Sequence, residues 1–315
     1  MDLARKIALV LAPVVILVTG SEPSAGQQAD QPLATFKSSV DLVPINAVVH
    51  DRHGRVVTTL TRWDFEVFDK GERRRILDFQ VDQRSPITVA LLVDESGSMT
   101  MGARTTSARQ TLARLVAELQ DGRDVAGLFA FDSDLHEQQP FTVHPTALAA
   151  VKNAQPFGTT SLYDAIAATA RRFEGRPTIR RAIVVFTDGL DTSSRLTASE
   201  VSGLASSIDV PVYVVMTVGS FDRTQQIDRE STDPARTTAD LRDLADWTGG
   251  NLFWASEAGS DPAREIVAEL RQQYLIAIES SQRREWRPLD VRVRDPHLTV
   301  RARGGYFSRD PSGPK

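Results

Sequence analysis

The sequence predicts an α/β chain: a doubly wound, mainly parallel sheet flanked by helices, inserted in a smaller β-sandwich-like domain. Two observations predict it. From residue 86 to 272, apolar strand-like runs alternate with amphipathic helical stretches. On either side lie short segments that read as strand throughout, each too small to hold a stable sheet and core by itself. Pairing these flanks into one domain around the α/β region is the economical arrangement. The expected organisation is a signal peptide over 1–26, a flexible lead over 27–37 and a β-sandwich-like domain from 38–84 plus 273–308. The α/β domain fills 85–272, and a polar tail covers 309–315.

The N-terminus has the three parts of a secretory signal. Arg5 and Lys6 precede an apolar run from Ile7 to Val18, and Ser24-Ala25-Gly26 offers a cleavage site. The run is shorter than the roughly 20 residues a membrane span needs, so a membrane is expected only if the signal stays uncleaved. The chain has no cysteine. Export without cysteine suits an envelope protein, periplasmic or extracellular, that does not depend on oxidative folding. A net charge of -4 gives no footprint for nucleic acid. The cluster Arg73-Arg74-Arg75 reads as a solvated strand edge or turn.

The first flank alternates as strands do. Val40, Leu42 and Pro44 form one row, then Ile45, Ala47 and Val49 after a change of phase. Asp51–Gly54 is a turn signal, Phe65 and Val67 begin a strand, and Asp69-Lys70-Gly71-Glu72 reads as a hairpin turn before Ile76–Phe79. In the α/β region, strands are expected at 87–93, 125–131, 180–187, 211–218 and 251–255. Helices are expected near 103–120, 146–153, 161–173, 197–208, 238–247 and 261–272. The first helix shows its period in Ala108, Leu112, Leu115, Val116 and Leu119. Runs such as Ala182–Phe186 and Val212–Met216 are apolar at every position, as in strands covered on both faces. The stretch 220–237 reads as a long surface loop. In the second flank Tyr274, Ile276 and Ile278 alternate, then Leu289–Val293 and Leu298–Ala302. The four tryptophans show no grouping and are expected in the core.

Ligands of an open parallel sheet sit beyond the carboxyl ends of its strands. Three loops are expected on that rim. Asp94-Glu95-Ser96-Gly97-Ser98 follows the first strand, Gly158-Thr159-Thr160-Ser161 precedes a helix, and Thr187-Asp188-Gly189 ends the strand 180–187. Hydroxyls of Ser96, Ser98 and Thr160, with Asp94 and Asp188 close by, make an all-oxygen set that suits a hard cation. Each piece alone is ordinary turn composition; the combination is what points to a metal. Asp132-Ser133-Asp134 also follows a strand and reads as a turn; Asp191, Thr192 and Ser193 lie just past the site loop, where Thr192 and Ser193 read as caps for the helix 197–208, with shaping of the rim by all three as the alternative. The five histidines have no zinc spacing, and His50 and His53 flank a turn and are expected to be exposed.

Asp-x-Ser-x-Ser, a later Thr and then Thr-Asp-Gly after an apolar strand together resemble the metal-ion-dependent adhesion site of von Willebrand factor type A domains. The likeness covers about residues 86–280. Thr160–Ala165, Leu244–Gly250 and Tyr274-Leu275 with a later Gly305-Tyr306 further resemble an exported subfamily found largely in acidobacteria. The resemblance implies that Ser96 and Ser98 bind the metal through their hydroxyls. Thr160 would bind it directly or through water, and Asp94 and Asp188 would act mainly through water. Thr159 competes with Thr160 for this role, and the register against Leu162-Tyr163-Asp164 favours Thr160. One departure is that the usual Gly-Gly is Gly158-Thr159 here.

Neutral hydroxyls leave a cation under-neutralised, with a position open for an Asp or Glu carboxylate of a protein partner. The expected function is therefore a non-enzymatic, exported binding protein using Mg2+, with Mn2+ or Ca2+ as alternatives and no catalytic residues. A second reading gives the contacts to the β-domain and makes the metal incidental. An enzyme fits less well. A phosphatase of the haloacid dehalogenase kind needs Asp at position 96, which is Ser, and a serine hydrolase needs Gly-x-Ser-x-Gly. In related A-domains the last helix shifts on ligation, which would make 261–272 the moving part here.

Overall fold

In the first flank the chain forms β1 (Leu42–His50), β2 (Phe65–Asp69), β3 (Glu72–Arg74) and β4 (Ile76–Asp82). It then enters the α/β region through β5 (Ile87–Asp94), α1 (Arg104–Glu118), β6 (Val125–Phe131), β7 (Leu135–Thr142), α2 (Leu162–Arg171) and β8 (Arg180–Thr187). This region continues with α3 (Ala198–Ile208), β9 (Val212–Met216), α4 (Pro234–Thr248), β10 (Leu252–Trp254) and α5 (Pro262–Arg271). The second flank supplies β11 (Gln273–Glu279), β12 (Trp286–Val293), β13 (Thr299–Ala302) and β14 (Gly305–Phe307). The computed structural model describes residues 42–146, 158–175, 180–217, 234–255, 259–281, 283 and 285–308. The expected signal, lead and tail, nearly all of the helix at 146–153 and most of the loop at 220–237 lie outside these residues.

The central sheet has the order β10-β9-β8-β5-β6-β7. All neighbours are parallel except β6 and β7. Both faces are covered, which is why successive residues such as Leu91 and Leu92 are equally buried. One face packs Val89 and Leu91 against α1 (Leu112, Leu115) and α5 (Ile266, Leu270). The other packs Ala90 and Leu92 against α2, α3 and α4 through Ile166, Val201 and Leu244. β7 was not expected. It is a partly exposed edge strand carrying His136, Glu137, Gln138 and Gln139, so it has no apolar alternation to read. α4 begins at Pro234, inside the stretch expected to be loop, with proline at the position where its missing N–H costs nothing.

The flanks interleave into two antiparallel sheets, β13-β1-β11-β4 and β14-β12-β2-β3. β1 pairs with β11 and β2 with β12. Val43, Ile45, Phe65, Val67, Tyr274, Ile276 and Val291 fill the core between them. The expected change of phase in β1 is absent. Val43, Ile45, Ala47 and Val49 are buried in one phase, and Leu42 and Pro44 face out. Lys70 and Gly71 both take positive φ, the backbone that a tight two-residue hairpin requires between β2 and β3.

Three further expectations are corrected. Trp63 is 70% exposed and Trp247 41%, so neither is a core residue. His50 is not exposed but turned inward onto Glu269, at 3.2 Å. Arg74 of the basic cluster is half-buried beside Asp69, at 3.4 Å. These sheets and the α/β layer belong to one compact unit.

Candidate metal centre

β5 lies between β6 and β8. The chain leaves β5 toward one side of the sheet and returns later to the other. The carboxyl ends of β5 and β8 therefore flank the topological switch point, where neighbouring connections diverge and leave a crevice. The β5–β8 register pairs Val93 with Phe186, which brings Asp94 level with Thr187. The Thr187 hydroxyl donates to Asp94 Oδ2 at 2.6 Å. Asp94 Oδ1 accepts the Ser96 N–H at 2.9 Å, a side-chain turn that reverses the chain. A single 3-10 turn, Gly97–Thr100, follows and brings Ser98 Oγ to 3.1 Å from Ser96 Oγ.

The second loop is stitched to the first, since Gly97 N–H donates to the Gly158 carbonyl at 3.2 Å. Gly158 has φ +92°, which explains why Thr159 is tolerated where a second glycine is usual: only the first position needs the left-handed backbone. Thr159 is exposed and Thr160 buried. Its N–H donates to Thr192 Oγ1 at 2.9 Å, and its carbonyl accepts the N–H groups of Thr192 and Ser193.

Thr192 and Ser193 hold the Thr160 loop and do not cap α3 as expected, and their neighbours Asp191 and Ser194 cap α2. Asp191 Oδ1 accepts the Leu162 N–H at 2.8 Å, and Ser194 Oγ accepts that of Tyr163 at 3.0 Å. α3 is capped by Thr197 with Glu200 in a reciprocal box. Asp132 forms the expected turn, accepting the Asp134 N–H at 3.0 Å, and its carbonyl holds the Ser161 N–H.

Asp188 Oδ1 accepts the Leu190 N–H at 3.1 Å, and Oδ2 accepts a hydrogen bond from Arg104 Nη1 at 2.7 Å. The same Nη1 donates to the Ser98 carbonyl at 3.1 Å. Arg104 is buried and was missed by sequence reasoning. A signal was present: it opens α1, and a cation in the first turn opposes the helix dipole unless an anion holds it. Asp94 is affected differently. Burial, and next the charge of Asp188, push its carboxyl up to about 7, against the hydrogen bonds from Ser96 and Thr187. Two buried carboxylates that repel one another, bordered by neutral hydroxyls, are chemistry that a divalent oxygen-seeking cation would relieve. Among the described residues no three His, Asp or Glu side chains gather as a metal cluster.

Residues 89–190, which run from β5 through β8 and hold the three rim loops, match the family model of the von Willebrand factor type A domain. The matched span contains all five candidate residues. Among solved structures the chain is similar to BatB from Bacteroides thetaiotaomicron at 20% identity, covering 58% of this chain and 98% of that one, with a TM-score of 0.46. A von Willebrand factor type A protein from Catenulispora acidiphila is 13% identical over 78% of this chain and 75% of that one, with a TM-score of 0.46. Proximal thread matrix protein 1 from the mussel byssus, solved with a zinc-occupied MIDAS motif, is 14% identical over 64% and 49%, with a TM-score of 0.48. None of these three reaches 0.5, so the domain assignment rests on the family model and the rim. No curated protein matches the chain. Among the described residues no helix is long and apolar enough to cross a membrane.

Proposed function

We propose that the chain is an exported, non-enzymatic binding protein whose A-domain holds a divalent cation and uses it to grip an Asp or Glu of a protein partner. The observation that carries this is the convergence of Asp94 and Asp188, both buried, with the hydroxyls of Ser96 and Ser98 at 3.1 Å. In this reading Ser96, Ser98 and Thr160 offer neutral oxygens to the cation, and Asp94 and Asp188 hold its shell. Mg2+ is the first choice by donor chemistry, with Mn2+ and Ca2+ as alternatives. The bound cation would supply an under-neutralised positive charge. Arg104 offsets Asp188 and so keeps the rim from neutralising that charge completely. The periplasm or the cell exterior is the proposed location. The division at residues 84/85 and 272/273 into β-layer and A-domain belongs to the same proposal.

A pull-down from the envelope extract of the host tests it. Capture should vanish in chelator and in Asp94→Ala. Capture that persists equally in both would remove the cation from the mechanism.

Proton and cation compete for Asp94. Its carboxyl rises from 3.8 to about 7 on folding, so in chelator its contribution to stability is full below about 4 and is lost as pH rises through 7. Cation affinity should therefore climb about tenfold per pH unit up to neutrality and level off above it. A calorimetric titration between pH 5.5 and 8.5 reads this directly, and a flat profile contradicts it.

Arg104→Met should act in two directions. Asp188 loses its partner, so the chelated protein becomes less stable. The cation then meets one fewer positive charge, and its affinity should rise by about tenfold or more. Unchanged affinity in the same titration would take Arg104 out of the charge balance.

A further inference from the structure

A second candidate surface lies on the β-layer and shares no residue with the rim. It is a cavity of about 410 Å³ lined from β2, β3, the start of β4 and the chain before β2 and after β12. Buried Phe65 and Ile76 line it together with Trp63, which is 70% exposed. Trp63 sits in a short 3-10 turn, Arg62–Asp64, fixed by a reciprocal cap between Thr61 and Asp64. The turn leaves its ring in water, with the Arg62 guanidinium 5.0 Å from the ring centre.

Charge at the cavity is one-sided. Arg62, Arg73, Arg74, Arg75 and Arg294 line it against the single acid Glu66. Glu66 is shared, lying 3.0 Å from Arg73 and 3.6 Å from Arg294. Arg75 is exposed. Arginines on an edge strand commonly serve only to discourage pairing with other chains. That explanation covers Arg73 and Arg74 on β3. It leaves out Arg62, Trp63 and Arg294, which come from other segments and meet at the same cavity.

We infer that this groove docks an extended acidic segment of a protein partner, lying across the arginines that Glu66 of β2 joins, Arg73 and Arg294. Arginine clusters select carboxylates, and an exposed tryptophan is a common anchor at protein interfaces. The basic patch is short and the whole chain carries -4, which suits a brief acidic peptide better than a long polyanion.

A fluorescein-labelled decapeptide alternating Glu and Val is the probe, with anisotropy read in chelator at low salt. Binding is expected in chelator and in Asp94→Ala alike, because the groove does not use the rim. Trp63→Ala and the charge reversal Arg75→Glu/Arg294→Glu should each weaken it at least tenfold, with far-ultraviolet dichroism unchanged. A Lys–Val peptide should not bind. No binding of the acidic peptide, equal binding by both variants, or binding only to oligothymidylate or to anionic vesicles would overturn the inference. None of these results bears on the cation reading.

Discussion

Saturating Mg2+ is expected to raise the melting temperature of the wild-type protein and to leave Asp94→Ala unmoved. A ligand at a hundred times its dissociation constant adds about 2.7 kcal/mol to the folded state. For a chain of this size that corresponds to a shift on the order of 4 °C. Asp94 is the position where loss should be complete. It lies level with Thr187 and ties two rim loops together through the Thr187 hydroxyl and the Ser96 N–H. Alanine there removes a carboxylate from the cation and loosens the turn that aims Ser96 at Ser98. Ser96→Ala is the milder comparison, since it deletes one hydroxyl and leaves the turn intact, so a reduced shift is expected. A thermal-shift series with Mg2+, Mn2+ and Ca2+ on the three proteins decides the matter. An equal shift in wild type and Asp94→Ala would place the cation elsewhere. No shift in wild type with any of the three would end the metal reading.

What the sequence made legible follows from where signals are local. The parallel strands announce themselves because a strand buried on both faces must be apolar at every position, as Val212–Met216 is. The three rim loops could be read because each is a short run of turn chemistry directly after or before such an element. Cross-chain assignments were not local in this sense. Nothing in the order of residues says that Thr192 would clamp Thr160, or that Asp191 and Ser194 would cap α2. Both loops lie at the same sheet edge, and only the strand order brings them together. β7 was invisible because an exposed edge strand has no apolar face to bury. Trp63 was misplaced because tryptophan ordinarily gains from burial; its exposure is legible only once the arginines around it are seen to share a cavity. Arg104 was the one missed group with a readable signal, an unfavourable charge at the start of a helix.

Arg180→Ala is expected to destabilise the protein by about 3–5 kcal/mol, the range for breaking one side of a buried ion pair. Arg180 is fully buried at the start of β8. Its Nη2 lies 2.7 Å from Asp82, and its Nη1 donates to the Ser85 carbonyl at 2.8 Å. Asp82 ends β4 and Ser85 lies in the link to β5, so this one guanidinium fastens the β-layer to the central sheet. Alanine would leave a mostly buried carboxylate and a carbonyl behind without their cation. The remaining hydrogen bonds to Asp82, from the N–H groups of Arg84 and Ser85, orient it but supply no full charge. Domains commonly have only about 5–15 kcal/mol in total, so the urea midpoint should fall visibly, with the slope unchanged. Arg180→Met with Asp82→Asn should recover part of the loss, because it removes both charges together. A loss below about 1 kcal/mol for Arg180→Ala would mean that the seam is held by packing alone. Since Arg180 and Thr187 stand at opposite ends of β8, cation affinity should survive the change, which separates the fastening of the layers from the chemistry of the rim.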